Sequence, residues 1–366
     1  MKINILQVVG TMNRGGAETF LMNALRTVNT EKYNFIFLCY GSDSFDYESE
    51  ILTLGGSIVR IRDVKEVGLL EHIKDLRRVI RDEKIDIIHA HTYFNSVFSL
   101  IAGKLEHTKK RIAHSHTTRS EYKPSLLKKV YFLVSKILIN MFATDYVACG
   151  KDAGDSLFFG KKFGIITNGI VVENFSFNNK VRMRIRSELG ISQDSFVLGH
   201  VGRIDVQKNQ SFAIDAFNEH VSDDMDAKLL LVGEGVLREE VEKKVKSMKL
   251  DGKVLFLGSR SDVSSIYSAM DIFIFPSLRE GIPLTLIEAQ ASGLRCLVSD
   301  TIDHDVMVSE LVEFASLEDG PKRWSNLLDE YKSKKDIRIN TLVGSAYDVK
   351  NSINDLKKIY EIKESM

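Results

Sequence analysis

Cysteine is scarce in this chain. There are three, Cys39, Cys149 and Cys296, far apart and with no CxxC pair. This argues against a disulfide framework or a zinc finger and fits a reducing compartment. A net charge of one sign is also missing, because 50 Lys and Arg stand against 50 Asp and Glu. No global field favours nucleic acid, so none is expected as a partner. No apolar run is long enough to span a bilayer. Met1-Lys2 leads straight into the run Ile3–Val9, which is too short for a signal-peptide core with a cleavage site. A cytoplasmic location is the expectation. There is no low-complexity tract and no fixed-period repeat. What remains is an ordinary globular balance, 44% hydrophobic and 27% charged, over 366 residues, a length that suggests two domains.

Short apolar runs alternate with helix-period segments from end to end. In the first half, Ile3–Val9, Phe35–Tyr40, Ile58–Ile61, Ile85–His89, Arg111–His114, Tyr146–Ala148 and Ile165–Thr167 read as strands. Amphipathic stretches such as Gly68–Asp82 lie between most of them. The pattern breaks at Asn174–Lys180, and Arg182–Leu189 reads as a short helix. A second series follows with Phe196–Val201, Lys228–Val232, Val254–Leu257, Asp271–Phe275 and Cys296–Ser299. The alternation predicts right-handed βαβ units and parallel sheets covered on both faces, an α/β class. The expected domains are 1–178 and 179–345, followed by an amphipathic helix in 346–366.

Ligands of open α/β sheets sit beyond the carboxyl ends of the strands, so two such domains with facing crevices would make a cleft. The unusual residues fall at strand ends. The segment from Phe275 to Ala289 runs from strand through loop into helix. Pro283 is expected in the first turn, where its missing N–H costs nothing. The free amides after it would suit a phosphate. Glu280 projects from the loop, and Glu288 lies about a turn inside the helix. Acids that accept from hydroxyls, on either side of a diphosphate site, suggest a nucleotide sugar.

The strand starting at Phe196 ends in Gly202-Arg203-Ile204-Asp205-Val206-Gln207-Lys208-Asn209. Arg203 offers a planar fork and Lys208 a compact charge, both suited to phosphate. The bland alternative is two solvated surface cations. The first strand ends in Gly10-Thr11-Met12-Asn13-Arg14-Gly15-Gly16-Ala17-Glu18, which does not match G-x-G-x-x-G. Turns with Gly233 and Gly235, and with Gly258 and Arg260, end two further strands. They are either connections or walls of a base pocket. His89-Ala90-His91 and His114-Ser115-His116 end the fourth and fifth strands, and residues two apart share a face. Four histidines raise the question of a metal, yet no carboxylate or cysteine follows at ligand spacing. One of each pair is expected to hydrogen-bond in the cleft and the other to be buried.

Taken together, GTMNRGGAE, HSH, GRIDVQKN, VGEG, GSRSDV and PSLREGIPLTLIEA resemble the family-4 retaining glycosyltransferases with the GT-B fold, in order and over nearly the full length. The resemblance implies two Rossmann-like domains around a cleft, with the nucleotide on the second and the last helix crossing back to the first. It implies that Arg203 and Lys208 hold the diphosphate and Glu280 the donor sugar's hydroxyls. Glu288 would take the ribose, Gly16 would approach the phosphate, and His116 would meet the sugar at the reacting centre. Gly15, Gly202, Gly258, Arg260, Gly281, Ile282, Pro283 and Leu284 complete the implied donor site. The implied donor is a nucleotide sugar, UDP first, and the implied acceptor a glycan or a polyprenyl-diphosphate-linked oligosaccharide of bacterial surface polysaccharide assembly. No metal or cofactor is implied. Arg295 stands where the family often has Pro, before a strand. Asp303-His304-Asp305 resembles a metal motif of a different fold and reads here as a loop or helix cap.

From Arg111 to Lys136 six basic residues, Arg111, Arg119, Lys123, Lys128, Lys129 and Lys136, face Glu121 alone. An apolar helical stretch accompanies them, so an anionic membrane surface is a further candidate partner and a peripheral position on the membrane's inner face a candidate location. Against the transferase stand a nucleotide-sugar epimerase, a sugar phosphorylase and a non-catalytic sugar-binding protein.

Overall fold

In the computed structural model, residues 2–13, 15–29, 31–117, 125–221, 226–333 and 338–361 are described. The chain divides into two units, Met1–Ile170 with Ala346–Met366, and Val171–Ser345. Each is a parallel sheet whose short apolar strands are joined by helices.

The first unit holds seven strands: β1 (Ile3–Gly10), β2 (Tyr33–Tyr40), β3 (Ser57–Ile61), β4 (Ile87–Ala90), β5 (Lys110–Ser115), β6 (Asp145–Ala148) and β7 (Gly164–Ile165). Their order is β3-β2-β1-β4-β5-β6-β7, and every neighbouring pair is parallel. The order reverses between β1 and β4, which makes that edge the topological switch point. Period two splits each strand between two faces. Leu6, Val8, Ile36, Leu38, Ile88 and Ala90 join one core cluster. On the opposite face Gln7, Phe35 and His89 meet Tyr360 of the C-terminal helix Val349–Tyr360.

That helix is anchored locally. Asp348 caps it by accepting from Lys350 N at 3.0 Å. Ile170 N bonds Tyr347 O at 2.9 Å, and Val349 N returns to Ile170 O at 2.8 Å. Gly169 makes the approach fit, because a Cβ there would lie 2.8 Å from Ser352 Cβ and 2.9 Å from Val349 Cα. Residues 362–366 of the expected last helix lie outside the described residues. The helix Val64–Asp82 starts earlier than Gly68, which interrupts it with φ 77° and ψ 169°.

The second unit holds β8 (Val197–Val201), β9 (Lys228–Val232), β10 (Val254–Gly258), β11 (Ile272–Phe275), β12 (Arg295–Ser299) and β13 (Val312–Ala315), in the parallel order β10-β9-β8-β11-β12-β13. Its switch point lies between β8 and β11. β13 was not anticipated, because Val-Glu-Phe-Ala is too short to show a period. A Cβ on Gly199 of β8 would run into the buried side chain of Met270, which would have to shift to make room.

Candidate functional site

Loops at the β8–β11 switch point bring two of the sequence-selected charges together. Lys208 Nζ lies 2.8 Å from Glu280 Oε1, and both side chains are largely buried. Among the described residues Glu280 Oε1 has no aligned hydrogen bond, so the pair is a close contact of charges rather than a directed bond. The Lys208 ammonium also sits 4.8 Å over the Phe275 ring, a cation–π position. Its stem runs across Gly202, where a Cβ would meet Lys208 Cδ and Cε at 3.3 Å. The two loops are stitched by Leu278 N to Gln207 O at 2.8 Å, Gln207 Nε2 to Arg279 O at 2.8 Å and Asn209 Nδ2 to Pro276 O at 3.1 Å. Asn209 takes φ 52° to make the turn.

Arg203 is placed differently. Its Nε donates to Asp205 Oδ2 at 2.9 Å, and its side chain is 77% exposed. Asp205 also accepts from Lys208 N at 2.9 Å, so one carboxylate orders both cationic positions.

The helix after this loop is Leu284–Ala291. Pro283 is its N-cap, with φ −74° and ψ 118°, and not a first-turn residue. The proline still opens the helix, but its carbonyl makes the first turn, accepting from Leu286 N at 3.1 Å. Gly281 faces open space, and Ile282 and Leu284 are half-buried. Glu288, half-buried, accepts from Tyr267 OH at 2.9 Å. Burial pushes its carboxyl up to about 7, with the Tyr267 bond opposing.

The glycine turns prove to be structural necessities. A Cβ on Gly233, which has φ +135°, would run into Gly202 O, and one on Gly235 into Ile204 O. Gly233 N bonds Gly258 O at 2.8 Å, and Gly258 has φ +65°. Arg260 spends its fork on Asp262, at 2.7 and 2.8 Å. Asp303 caps a short turn by accepting from Asp305 N at 2.9 Å, and His304 stacks on Phe314, in keeping with a cap.

In the first unit, Gly15 is the N-cap of the helix Gly16–Thr27. Arg14 lies outside the described residues. A Cβ on Gly16 would meet Asn168 Nδ2 at an ordinary 3.8 Å. Asn168 in turn faces His116, with Oδ1 3.3 Å from Nδ1. Asn168 was missed in the sequence. Its one signal is Thr167-Asn168-Gly169, a turn after a strand.

The four histidines form one cluster. His89 and His114 are wholly buried, whereas His116 is partly exposed. Burial holds His89, His91 and His114 far below the ordinary imidazole value. It draws His116 down to about 4, the Asn168 contact opposing. The ring nitrogens of His89, His91 and His114 lie within 4.8 Å of one another, the set a metal would use among the described residues. Those nitrogens are engaged with one another and with neutral partners, His114 Nε2 excepted. A cation there would have to displace those hydrogen bonds and would find no anionic ligand among the three.

Residues 195–320 match the family model described as glycosyl transferases group 1, and residues 14–173 that described as Glycosyltransferase Family 4. A Bacillus subtilis (strain 168) protein that carries a glycosyltransferase name, EpsF, is 32% identical over 98% of this chain and 96% of its own. The Escherichia coli UDP-Gal:alpha-D-GlcNAc-diphosphoundecaprenol alpha-1,3-galactosyltransferase is 28% identical over 84% and 82%. The solved structure of Anabaena HepE in complex with UDP superposes with a TM-score of 0.80 at 18% identity, over 98% and 99% of the two chains. The chain belongs to this family of glycosyltransferases and has the GT-B fold. It is a transferase of glycosyl groups.

Proposed function

We propose that this enzyme moves a sugar from a nucleoside-diphosphate donor, with UDP the first choice of nucleotide, to a lipid-linked glycan with retention of configuration and without a metal. The observation that carries the reading is the Lys208–Glu280 pair at the switch point of the second sheet. That is where an open parallel sheet binds its ligand. In the free enzyme the two charges face each other. Donor binding exchanges partners: the diphosphate takes Lys208 and a sugar hydroxyl takes Glu280.

In transfer, the bond from the anomeric carbon to the diphosphate oxygen breaks, and an oxocarbenium-like state develops. The acceptor hydroxyl attacks from the same face, and its proton passes to the departing phosphate oxygen. Lys208, Arg203 and the amides at the start of the Leu284–Ala291 helix stabilise the growing negative charge. Glu288 accepts from the ribose hydroxyls. Gly16 leaves room near His116, which meets the sugar.

UDP is supported by the UDP bound in HepE and by the UDP-Gal named for the E. coli relative, whose diphosphoundecaprenol acceptor supports a lipid-linked one. A membrane surface is supported by the helix Leu126–Phe142. Leu126 is 76% exposed and Leu127 83%, and Val130, Leu133, Val134, Ile137 and Met141 are exposed along the same helix. Lys128, Lys129 and Lys136 share it, the mixture that suits an anionic leaflet. Arg119, Lys123 and Glu121 lie outside the described residues. No helix among the described residues is long and apolar enough to cross a membrane.

A thermal-shift panel of nucleotide sugars tests the donor, since a ligand bound only by the folded state raises the melting point. The expected result is a rise with UDP-sugars and transfer to a polyprenyl-diphosphate glycan. Failure of every nucleotide sugar to shift the melt would end the reading.

A further inference from the structure

The histidine cluster is one continuous hydrogen-bonded chain of neutral groups. It starts at Tyr360, whose hydroxyl lies 2.8 Å from both Gln7 Nε2 and His89 Nδ1. One branch continues from His89 Nε2 to His114 Nδ1 at 3.1 Å and ends there, because His114 Nε2 has no partner among the described residues. The other runs from Gln7 Oε1 to His91 Nε2 at 2.9 Å, from His91 Nδ1 to His116 Nε2 at 2.8 Å, and from His116 Nδ1 to Asn168 Oδ1 at 3.3 Å.

A neutral imidazole has one donor and one acceptor nitrogen, so each link fixes the next. Only two proton orders also give the buried Tyr360 hydroxyl proton an acceptor within this chain. If the Gln7 oxygen faces His91, every ring carries its proton on Nε2. His116 Nδ1 is then a bare lone pair facing the Asn168 oxygen, and His114 Nε2–H is a buried donor without an acceptor. If the Gln7 amide is turned over, every ring carries its proton on Nδ1. Tyr360 then accepts from His89 and donates to Gln7, His91 donates to His116, and His116 Nδ1–H donates to Asn168 Oδ1 as it stands. Each order needs one amide reversed, of Asn168 or Gln7, and these reversals exchange atoms of similar size in place. His114 breaks the tie. A buried N–H without an acceptor costs more than a bare ring lone pair, since unpaired acceptors are the better tolerated of the two.

We propose that Gln7, His91 and Tyr360 are positioning residues that hold His116 as the neutral Nδ1–H tautomer, so that it meets the sugar as a hydrogen-bond donor. The tautomer needs no functional assumption; its catalytic consequence rests on the reading that His116 contacts the reacting sugar. The side chain that passes this polarity from one branch to the other, Tyr360, is 353 residues from Gln7 in sequence and belongs to the C-terminal helix. The final helix of the chain thereby controls a group at the carboxyl end of β5.

Nitrogen-15 NMR of histidine-labelled full-length enzyme reads the tautomers directly. The expected spectrum has all four rings neutral and protonated on Nδ1 at neutral pH. His116 protonated on Nε2, or charged, overturns the proposal. Tyr360→Phe removes the hydroxyl that orients Gln7. His91 and His116 are then expected to populate the Nε2–H form, with kcat lower by about tenfold, the rate equivalent of one hydrogen bond, and donor KM little changed. Should Tyr360→Phe fail to fold, Gln7→Met interrupts the same link from the other side. Unchanged tautomers in a folded variant overturn the relay. Altered tautomers with unchanged kcat leave the relay standing and remove His116 from the transfer step, so the two claims fail separately.

Discussion

The two sheets share a strand order and differ at their switch points. In the first, the β1–β4 edge and its neighbour β5 carry Gln7 and four histidines, held neutral by burial. In the second, the β8–β11 edge carries an ammonium and a carboxylate at 2.8 Å. One topology thus presents uncharged, directional hydrogen bonds in one unit and charge in the other. The difference follows from what each is proposed to meet: hydroxyls and a reacting carbon need orientation, and a leaving diphosphate needs charge.

The comparison breaks most sharply at Lys208. Lys208→Ala is expected to lower kcat by ~100-fold or more, as for loss of a preorganised charge donor. Turnover within a few-fold of wild type in a folded variant would mean that the second switch point does not handle the leaving group. Arg203→Ala is expected to cost less, because Arg203 is exposed and tied to Asp205. Equal losses in the two variants would show that donor binding re-aims Arg203.

Gly199→Ala probes the frame beneath the charged site. The added methyl has no space against Met270 and is expected to cost about 1–3 kcal/mol in denaturant unfolding. A neutral result would show that Met270 moves aside.

The pH response separates Glu288 from the buried histidines. Glu288 holds its proton up to about 7 when folded, against an ordinary 4.5. The folded state therefore binds more protons than the unfolded between those values, and stability falls as pH rises through that window. The histidines act with the opposite sign: His116 titrates at about 4 against an ordinary 6.5, so its contribution is lost as pH falls through that range. His200, drawn to about 4 in the second unit, adds the same sign there. Glu288→Gln is expected to remove the decline between about pH 4.5 and 7 in denaturant melts, and to abolish a rise in donor affinity as pH increases through about 7. A variant with the wild-type pH profile would remove Glu288 from ribose binding.

The smallest expected effect is at the exposed apolar helix. Replacing Leu126 and Leu127 with Ser should weaken sedimentation with anionic liposomes several-fold, because each loses buried apolar area at the interface. Transfer to a soluble acceptor should be untouched. Sedimentation equal to wild type would separate this helix from any lipid.

Most strands were legible because a fully buried parallel strand is a short, continuous apolar run, and Ile3–Gly10 or Lys228–Val232 can be little else. β13 was not, since Val-Glu-Phe-Ala carries no period. The charges at strand ends were legible as candidates, but their pairing was not. Lys208 and Glu280 are far apart in the chain, and only the order β8-β11 makes their loops neighbours. Gln7 and Tyr360 left no usable signal as site residues. One polar residue inside a buried run, or one aromatic on an amphipathic helix, is ordinary in any core.

By itself, the amino-acid order determined the local states: which runs are strands, and which ionisable side chains stand at strand ends. Those are questions of steric range and hydrophobic period, and they are settled within about ten residues. The tertiary structure decided which of those residues face one another and which lose their charge. Hydrogen bonds and desolvation depend on distances in space, and residue 7 meets residue 360 only once the last helix has closed over the first sheet.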